Sequence, residues 1–217
     1  MPRPRVKICC IRSVEEASLA IRYGASALGL VGKMPSGPGV IEDATIKSIA
    51  AIVPPPVATF LLTSEVKAQA ILDHHYLTHT NTLQLVDYLE IDQYGKLRET
   101  LPWIKLVQVI HVIDERDVER SLSVAPFVDA LLLDSGNPNL WVKVLGGTGN
   151  THDWSISRRI RELSPAPVFL AGGLHARNVR EAIDTVEPFG LDLCSGVRTD
   201  GKLDERKLEA FFDAVNR

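Results

Sequence analysis

Eight times along the chain a short apolar run gives way to a segment of helical character, and this alternation limits the fold more than any other feature. The runs cover residues 6–11, 25–31, 57–62, 82–86, 104–110, 128–133, 167–170 and 190–194. Between and after them lie segments predicted to be helical, at 14–23, 43–52, about 65–75, 87–101, 115–124, 154–163, 176–186 and 204–216. Most have apolar residues at helical spacing; 87–101 is more polar. Ser13 suits an N-cap for the first helix and Gly24 a stop. Strand followed by helix, repeated eight times, is the pattern of a (β/α)8 TIM barrel, an α/β fold in which 1–217 forms a single domain. An open, doubly wound sheet also fits the alternation, but no GxGxxG follows the first strand to favour it.

Length agrees with one such domain, since barrels of this kind run as single units at 217 residues. With 45% hydrophobic and 24% charged residues, the composition is that of a globular chain with a large core. Twenty-four Lys and Arg stand against 27 Asp and Glu, so bulk charge gives no reason to expect nucleic acid as a partner. No apolar stretch is long enough to span a bilayer and the basic N-terminus lacks the apolar region of a signal peptide, so no membrane is expected and a cytoplasmic location is. Cys9, Cys10 and Cys194 match neither a disulfide frame nor a zinc site, and are expected to be reduced. His74, His75, His79, His111, His152 and His175 are scattered and read as surface or loop residues, so no metal is expected.

In a parallel barrel the loops that follow the strands form one face, where reacting groups gather. Two runs deliver reactive side chains there: RVKICC ends on a thiol, and LLLDS carries a carboxylate at Asp134. Side chains alternate along a strand, which puts Lys7 and Cys9 inside the barrel and Val6, Ile8 and Cys10 toward the helices. Cys9 reads either as an inert buried thiol or as a base, while Cys10 reads as structural. Asp134 reads either as a carboxylate that caps its own loop or as a general acid. Gln84 lies on the fourth strand. After the seventh and eighth strands, the turns with Gly172 and Gly173 and with Ser195 and Gly196 occupy the positions where such barrels hold phosphate on backbone N–H groups. The irregular stretch 135–152 contains GGTGN at 146–150, which reads as a flap that brings Gly147 and Thr148 to the ligand.

Taken together, several motifs resemble the phosphoribosylanthranilate isomerase family. They are Lys7-Ile-Cys9, the AxxxGAxALGLV run ending at Val31, LQL at 83–85, LLLDS at 131–135, GGTGNTHDW at 146–154, LAGGL at 170–174 followed by Asn178-Val179, and GLDLCSGV at 190–197. They occur in order over nearly the whole chain. The resemblance implies a (β/α)8 barrel and a cofactor-free Amadori rearrangement of an aminoaldose phosphate to an aminoketose phosphate, a step of tryptophan biosynthesis. It implies Asp134 as the acid that opens the furanose ring and Cys9 as the base that removes the C2′ proton, helped by the charge of Lys7. It implies a phosphosugar as the small-molecule partner, Lys7, Gln84, Gly147 and Thr148 as further substrate contacts, and a monomer or homodimer.

The chain reads as a divergent member, because Cys10 stands where the family has Gly and Gly39 where it has the Arg that anchors the anthranilate carboxylate. Val86 and Asp87 replace a His and a Gly. The loss of a guanidinium that pairs bidentately with a carboxylate bears on the aglycone first. Lys33 and Arg12 are the candidate cations to take its place. A paralogue acting on another phosphosugar and a non-catalytic phosphosugar-binding barrel are the two alternatives.

Overall fold

The structure, a computed structural model, describes residues 3–35, 37–136 and 151–217. Eight parallel strands close into a barrel in chain order: β1 (Arg5–Ile8), β2 (Ala27–Val31), β3 (Ala58–Thr63), β4 (Thr82–Leu85), β5 (Lys105–His111), β6 (Ala130–Asp134), β7 (Val168–Leu170) and β8 (Gly190–Leu193). β1 pairs with both β2 and β8, which closes the ring and leaves no edge strand. The helices are α1 (Val14–Arg22), α2 (Asp43–Ile52), α3 (Ala68–Thr78), α4 (Ile91–Thr100), α5 (Arg116–Val124), α6 (Trp154–Leu163), α7 (Val179–Val186) and α8 (Glu205–Asn216). After β8 come a 3-10 turn at Ser195–Val197 and a small antiparallel pair, β9 (Arg198–Thr199) and β10 (Lys202–Leu203).

Local chemistry explains the helix starts. Ser13 accepts from the N–H of Glu16, Asp153 from Ser155 and Asp204 from Lys207, each satisfying an N–H group that the first turn leaves unpaired. The sequence expectation for α3 begins too early, because Lys67 rather than Glu65 precedes its first residue. In the polar segment 87–101 only Ile91–Thr100 is helical.

Two apolar layers result from strand alternation. Ile8, Leu28, Leu30, Leu61, Leu83, Leu131, Leu133 and Leu191 face outward and pack with Ala17, Ala20, Ile46, Ile71, Leu97, Val179 and Phe211 of the helices. Ala27, Phe60, Leu62, Val107, Val109, Ala130, Leu132 and Phe169 fill the interior. Phe60 and Phe169 meet edge to face with centroids 6.1 Å apart, so the centre is a packed core and not a pore. Among the described residues no helix is long and apolar enough to cross a membrane.

Candidate active site

At the carboxyl ends of the strands a cavity of about 60 Å³ is lined by Cys9, Gln84, Asp134 and Asp192, with Cys10 and Cys194 beside them. Val31, Leu62, Val86, Val109 and Ala171 supply its apolar wall, and Met34, Gly37 and Pro38 of the β2–α2 loop close one side. Cys9 and Asp134, read from opposite parts of the chain, therefore open onto one space. Among the described residues no three His, Cys, Asp or Glu side chains are arranged to hold a metal ion.

Below the cavity floor, Lys7 is fully buried and its ammonium donates to Asp192 Oδ1 at 2.8 Å, a pair that links the adjacent strands β1 and β8. The ammonium also lies 5.3 Å from the Phe60 ring centroid. Burial alone would favour neutral lysine, but the charges of Asp192 and Cys9 outweigh it and hold the Lys7 pKa above its ordinary value. Lys7 is therefore a fixed cation. It does not line the cavity itself. Gly29 on β2 makes room for this arrangement: a Cβ there would stand 2.6 Å from Cys9 Sγ and 2.9 Å from Lys7 Nζ. Any larger residue would push the sulfur and the ammonium from their places.

Asp134, at the end of β6, accepts from the N–H of Ser135 at 2.7 Å, so it does tie down the start of its own loop. Its pKa is nevertheless raised, because burial dominates over the Ser135 hydrogen bond and the favourable charges of His111 and Lys7, while Asp192 adds repulsion. Both readings of this residue coexist: one oxygen is used locally, and the group is pushed toward its protonated form. Gln84 Oε1 is buried on the cavity wall with no hydrogen-bond partner among the described residues. A buried acceptor of this kind is destabilising unless a donor arrives.

The two glycine turns pack on each other above β7 and β8. Gly172 and Gly173 have φ of 84° and 61°, and the Asn178 side chain donates to the Gly173 carbonyl. A Cβ on Gly196 would strike the Leu174 carbonyl oxygen. A Cβ on Gly172 would meet Ser135 Oγ at 2.9 Å, so the first turn also packs on the loop after β6. Ala171 and Cys194, which lead into the two turns, line the cavity, so the turns lie next to it. Gly147 and Thr148, and the expected flap at 146–150, lie outside the described residues.

Three expectations are corrected. Cys10 does not point outward with Val6 and Ile8: its φ is 61°, which breaks the strand alternation and turns the sulfur into the interior cluster. His111 is no surface residue. It ends β5 at 1% exposure, donates through Nε2 to the Val86 carbonyl, and sits in register beside Asp134. His74 and His75 also belong to the packed structure, with His75 buried and His74 bridging Asp43 and Thr63. Asp192 was missed as a site residue, although an acidic residue inside the buried run GLDL was a usable signal.

The departures at positions 10 and 39 prove to be a single feature. Gly39 has φ of 84°, and a Cβ on it would come 2.5 Å from Cys10 Cβ. With Cys10 present, position 39 has no room for a side chain, and its left-handed backbone favours glycine in any case. Arg12 does not replace the lost guanidinium, because its side chain lies against Gly201, and neither Arg12 nor Lys33 lines the cavity.

Comparison with known proteins agrees with this geometry. A family model described as N-(5'-phosphoribosyl)anthranilate (PRA) isomerase matches residues 6–214. N-(5'-phosphoribosyl)anthranilate isomerase 2 of Methanosarcina mazei is 36% identical over 95% of this chain and 92% of its own length. The phosphoribosyl anthranilate isomerase structure from Thermotoga maritima superposes with a TM-score of 0.84 at 33% identity, covering 98% of both chains. Another such isomerase, solved in complex with reduced 1-(o-carboxyphenylamino)-1-deoxyribulose 5-phosphate, gives 0.82 at 31% identity, again over 98% of each chain. Matched by the family model from 6 to 214 and more than 30% identical to these relatives over nearly its whole length, the chain belongs to the phosphoribosylanthranilate isomerase family.

Proposed function

We propose that this chain catalyses the Amadori rearrangement of N-(5'-phosphoribosyl)anthranilate to the corresponding aminoketose phosphate, with Asp134 as general acid and Cys9 as general base. The observation that carries the reading is the single cavity lined by both groups, with Ala171 and Cys194, the residues that lead into the two glycine turns, on its wall. Asp134, with its raised pKa, gives its proton to the furanose ring oxygen as the C1′–O bond breaks, and the substrate nitrogen supplies the electron pair that forms the iminium. Cys9, as thiolate, then removes the C2′ proton, and those electrons move to the iminium to give the enol, which becomes the ketose. The substrate's own nitrogen is the electron sink, so the scheme uses no cofactor. Lys7 is a positioning residue below the site, packed with Cys9 over Gly29.

Gly172, Gly173, Ser195 and Gly196 would hold the phosphate by backbone donation. Gln84 Oε1 would accept from a ribose hydroxyl, satisfying the acceptor left open in its absence. A cytoplasmic location belongs to the same reading, since a phosphorylated substrate does not enter a bilayer.

Loss of substrate anthranilate fluorescence, followed with purified protein, tests the proposal. Cys9→Ala and Asp134→Asn should each lower kcat by about 10² to 10⁴ with little change in thermal stability. Absence of turnover by the unaltered protein would reject it.

A second reading, in which the aglycone carries no carboxylate, is favoured by the Gly39–Cys10 contact and by the lack of any Lys or Arg among the described residues that line the cavity. A phosphoribosyl derivative of an uncharged aromatic amine turned over with higher kcat/KM than the anthranilate compound would decide for it.

A further inference from the structure

One pair of nucleophilic groups at the barrel mouth has no part in the proton transfers. Cys10 follows β1 and Cys194 follows β8; these strands are neighbours, and the two sulfurs share a hydrogen bond at 2.7 Å. Both are free thiols. Cys10 is held in its left-handed conformation by Arg198, which donates to the carbonyls of Cys9 and Cys10 while its other contacts go to Glu16 and Gly201. Gly39 packs against the same residue, with a Cβ there meeting Cys10 Sγ at 3.2 Å. The Cys10 sulfur is thus presented to Cys194 by backbone held between Arg198 and Gly39. A disulfide bond is about 2.05 Å long, so closure needs an approach of less than about 1 Å.

We propose that Cys10 and Cys194 form a reversible thiol–disulfide pair, a modification site oxidised by hydrogen peroxide. Cys194 is the attacking group: it is the more accessible of the two, and the Cys10 hydrogen bond together with the Arg198 charge, working against burial, lowers its pKa. Hydrogen bonding to Cys194 and Cys9, together with burial, holds the Cys10 pKa well above its ordinary value. The Cys194 thiolate attacks one peroxide oxygen, the O–O bond breaks, and the departing hydroxide takes a proton to leave as water. Cys194 is then a sulfenic acid. The Cys10 sulfur attacks the sulfenic sulfur, the S–O bond breaks, and a second water leaves with the Cys10 proton. Two thiols have lost two electrons and two protons, and the peroxide has become two waters.

The test uses the reduced, full-length protein with stoichiometric hydrogen peroxide, followed by alkylation, intact mass and peptide mapping. The alkylatable thiols should fall from three to one, with the peptides of Cys10 and Cys194 linked and all three thiols restored by dithiothreitol. Cys9→Ser should still form the link. Cys10→Ser should not, and its Cys194 should be trapped by dimedone as the sulfenic acid. Three alkylatable thiols remaining in the treated protein, or a linked peptide that persists in Cys10→Ser, would overturn the proposal. The readout is thiol chemistry and not turnover, so it stands apart from the fate of the isomerase reading.

Discussion

Replacing Gly29 by alanine adds one methyl group to the interior of β2, and the structure states what that methyl meets. Its Cβ would lie 2.6 Å from Cys9 Sγ, 2.9 Å from Lys7 Nζ and 3.0 Å from Cys9 Cα. Ordinary van der Waals contact begins near 3.4 Å, so the sulfur would have to retreat by about 0.8 Å. It has little freedom to do so. Lys7 is held by Asp192, and the third neighbour is backbone of a strand paired on both sides. Overpacking of this kind destabilises by about 1–3 kcal/mol, which for a domain of this size lowers Tm by roughly 2–12 °C. A displacement approaching 1 Å at a proton-transferring group costs on the order of 10²-fold in rate. Gly29→Ala should therefore lose about 10- to 100-fold in kcat with KM nearly unchanged, since the phosphate turns are remote from β2. The internal control is Gly95→Ala in α4, where a Cβ meets nothing within 4 Å. There the same methyl should raise stability by about 0.5–1 kcal/mol through helix propensity. Thermal melts and steady-state kinetics on both variants check the argument. A Gly29→Ala protein with unaltered Tm and kcat would refute the tight packing of Lys7 and Cys9 over Gly29.

Asp192→Asn should destabilise by about 3–5 kcal/mol in denaturant titrations, because it leaves the Lys7 charge buried without its partner, whereas the double change Lys7→Met, Asp192→Leu should recover most of the loss. Glu16 accepts from both Arg198 amino groups and from the N–H groups of Arg12 and Leu203. Burial works against its charge, yet these donors prevail and lower its pKa. Its contribution is thus present above the ordinary carboxylate range and lost as pH falls through its lowered folded value; in Glu16→Gln that acid-dependent loss of Tm should shrink. Burial lowers the His152 pKa to about 4 from 6.5, with Nε2 hydrogen-bonded to Ser157 at 2.6 Å. Because the unfolded chain takes up this proton first, stability should decline between about pH 6.5 and 4, by up to about 2–3 kcal/mol. A His152→Gln protein whose stability falls as steeply over that window would refute the assignment.

How far the sequence reached can be judged at β1. Alternation along RVKICC is a local, two-residue rule, so it placed Lys7 and Cys9 inside the barrel without knowledge of any neighbour. The same kind of local signal identified eight strand and helix units, the Ser13 cap and the turns around Gly172 and Ser195, because apolar periodicity and capping chemistry act over a few residues. Cys10 escaped that rule. Its left-handed backbone is enforced by Arg198 and accommodated by Gly39, residues 188 positions away in one case and on another strand's loop in the other. The Lys7–Asp192 pair spans 185 positions, and the burial of His111 beside Asp134 depends on strand register. Contacts of this sort exist only once the ring has closed and β1 lies against β8. Before closure, Gly39 and Cys10 look like two separate losses from a family pattern; afterwards, steric exclusion makes a side chain at 39 incompatible with Cys10.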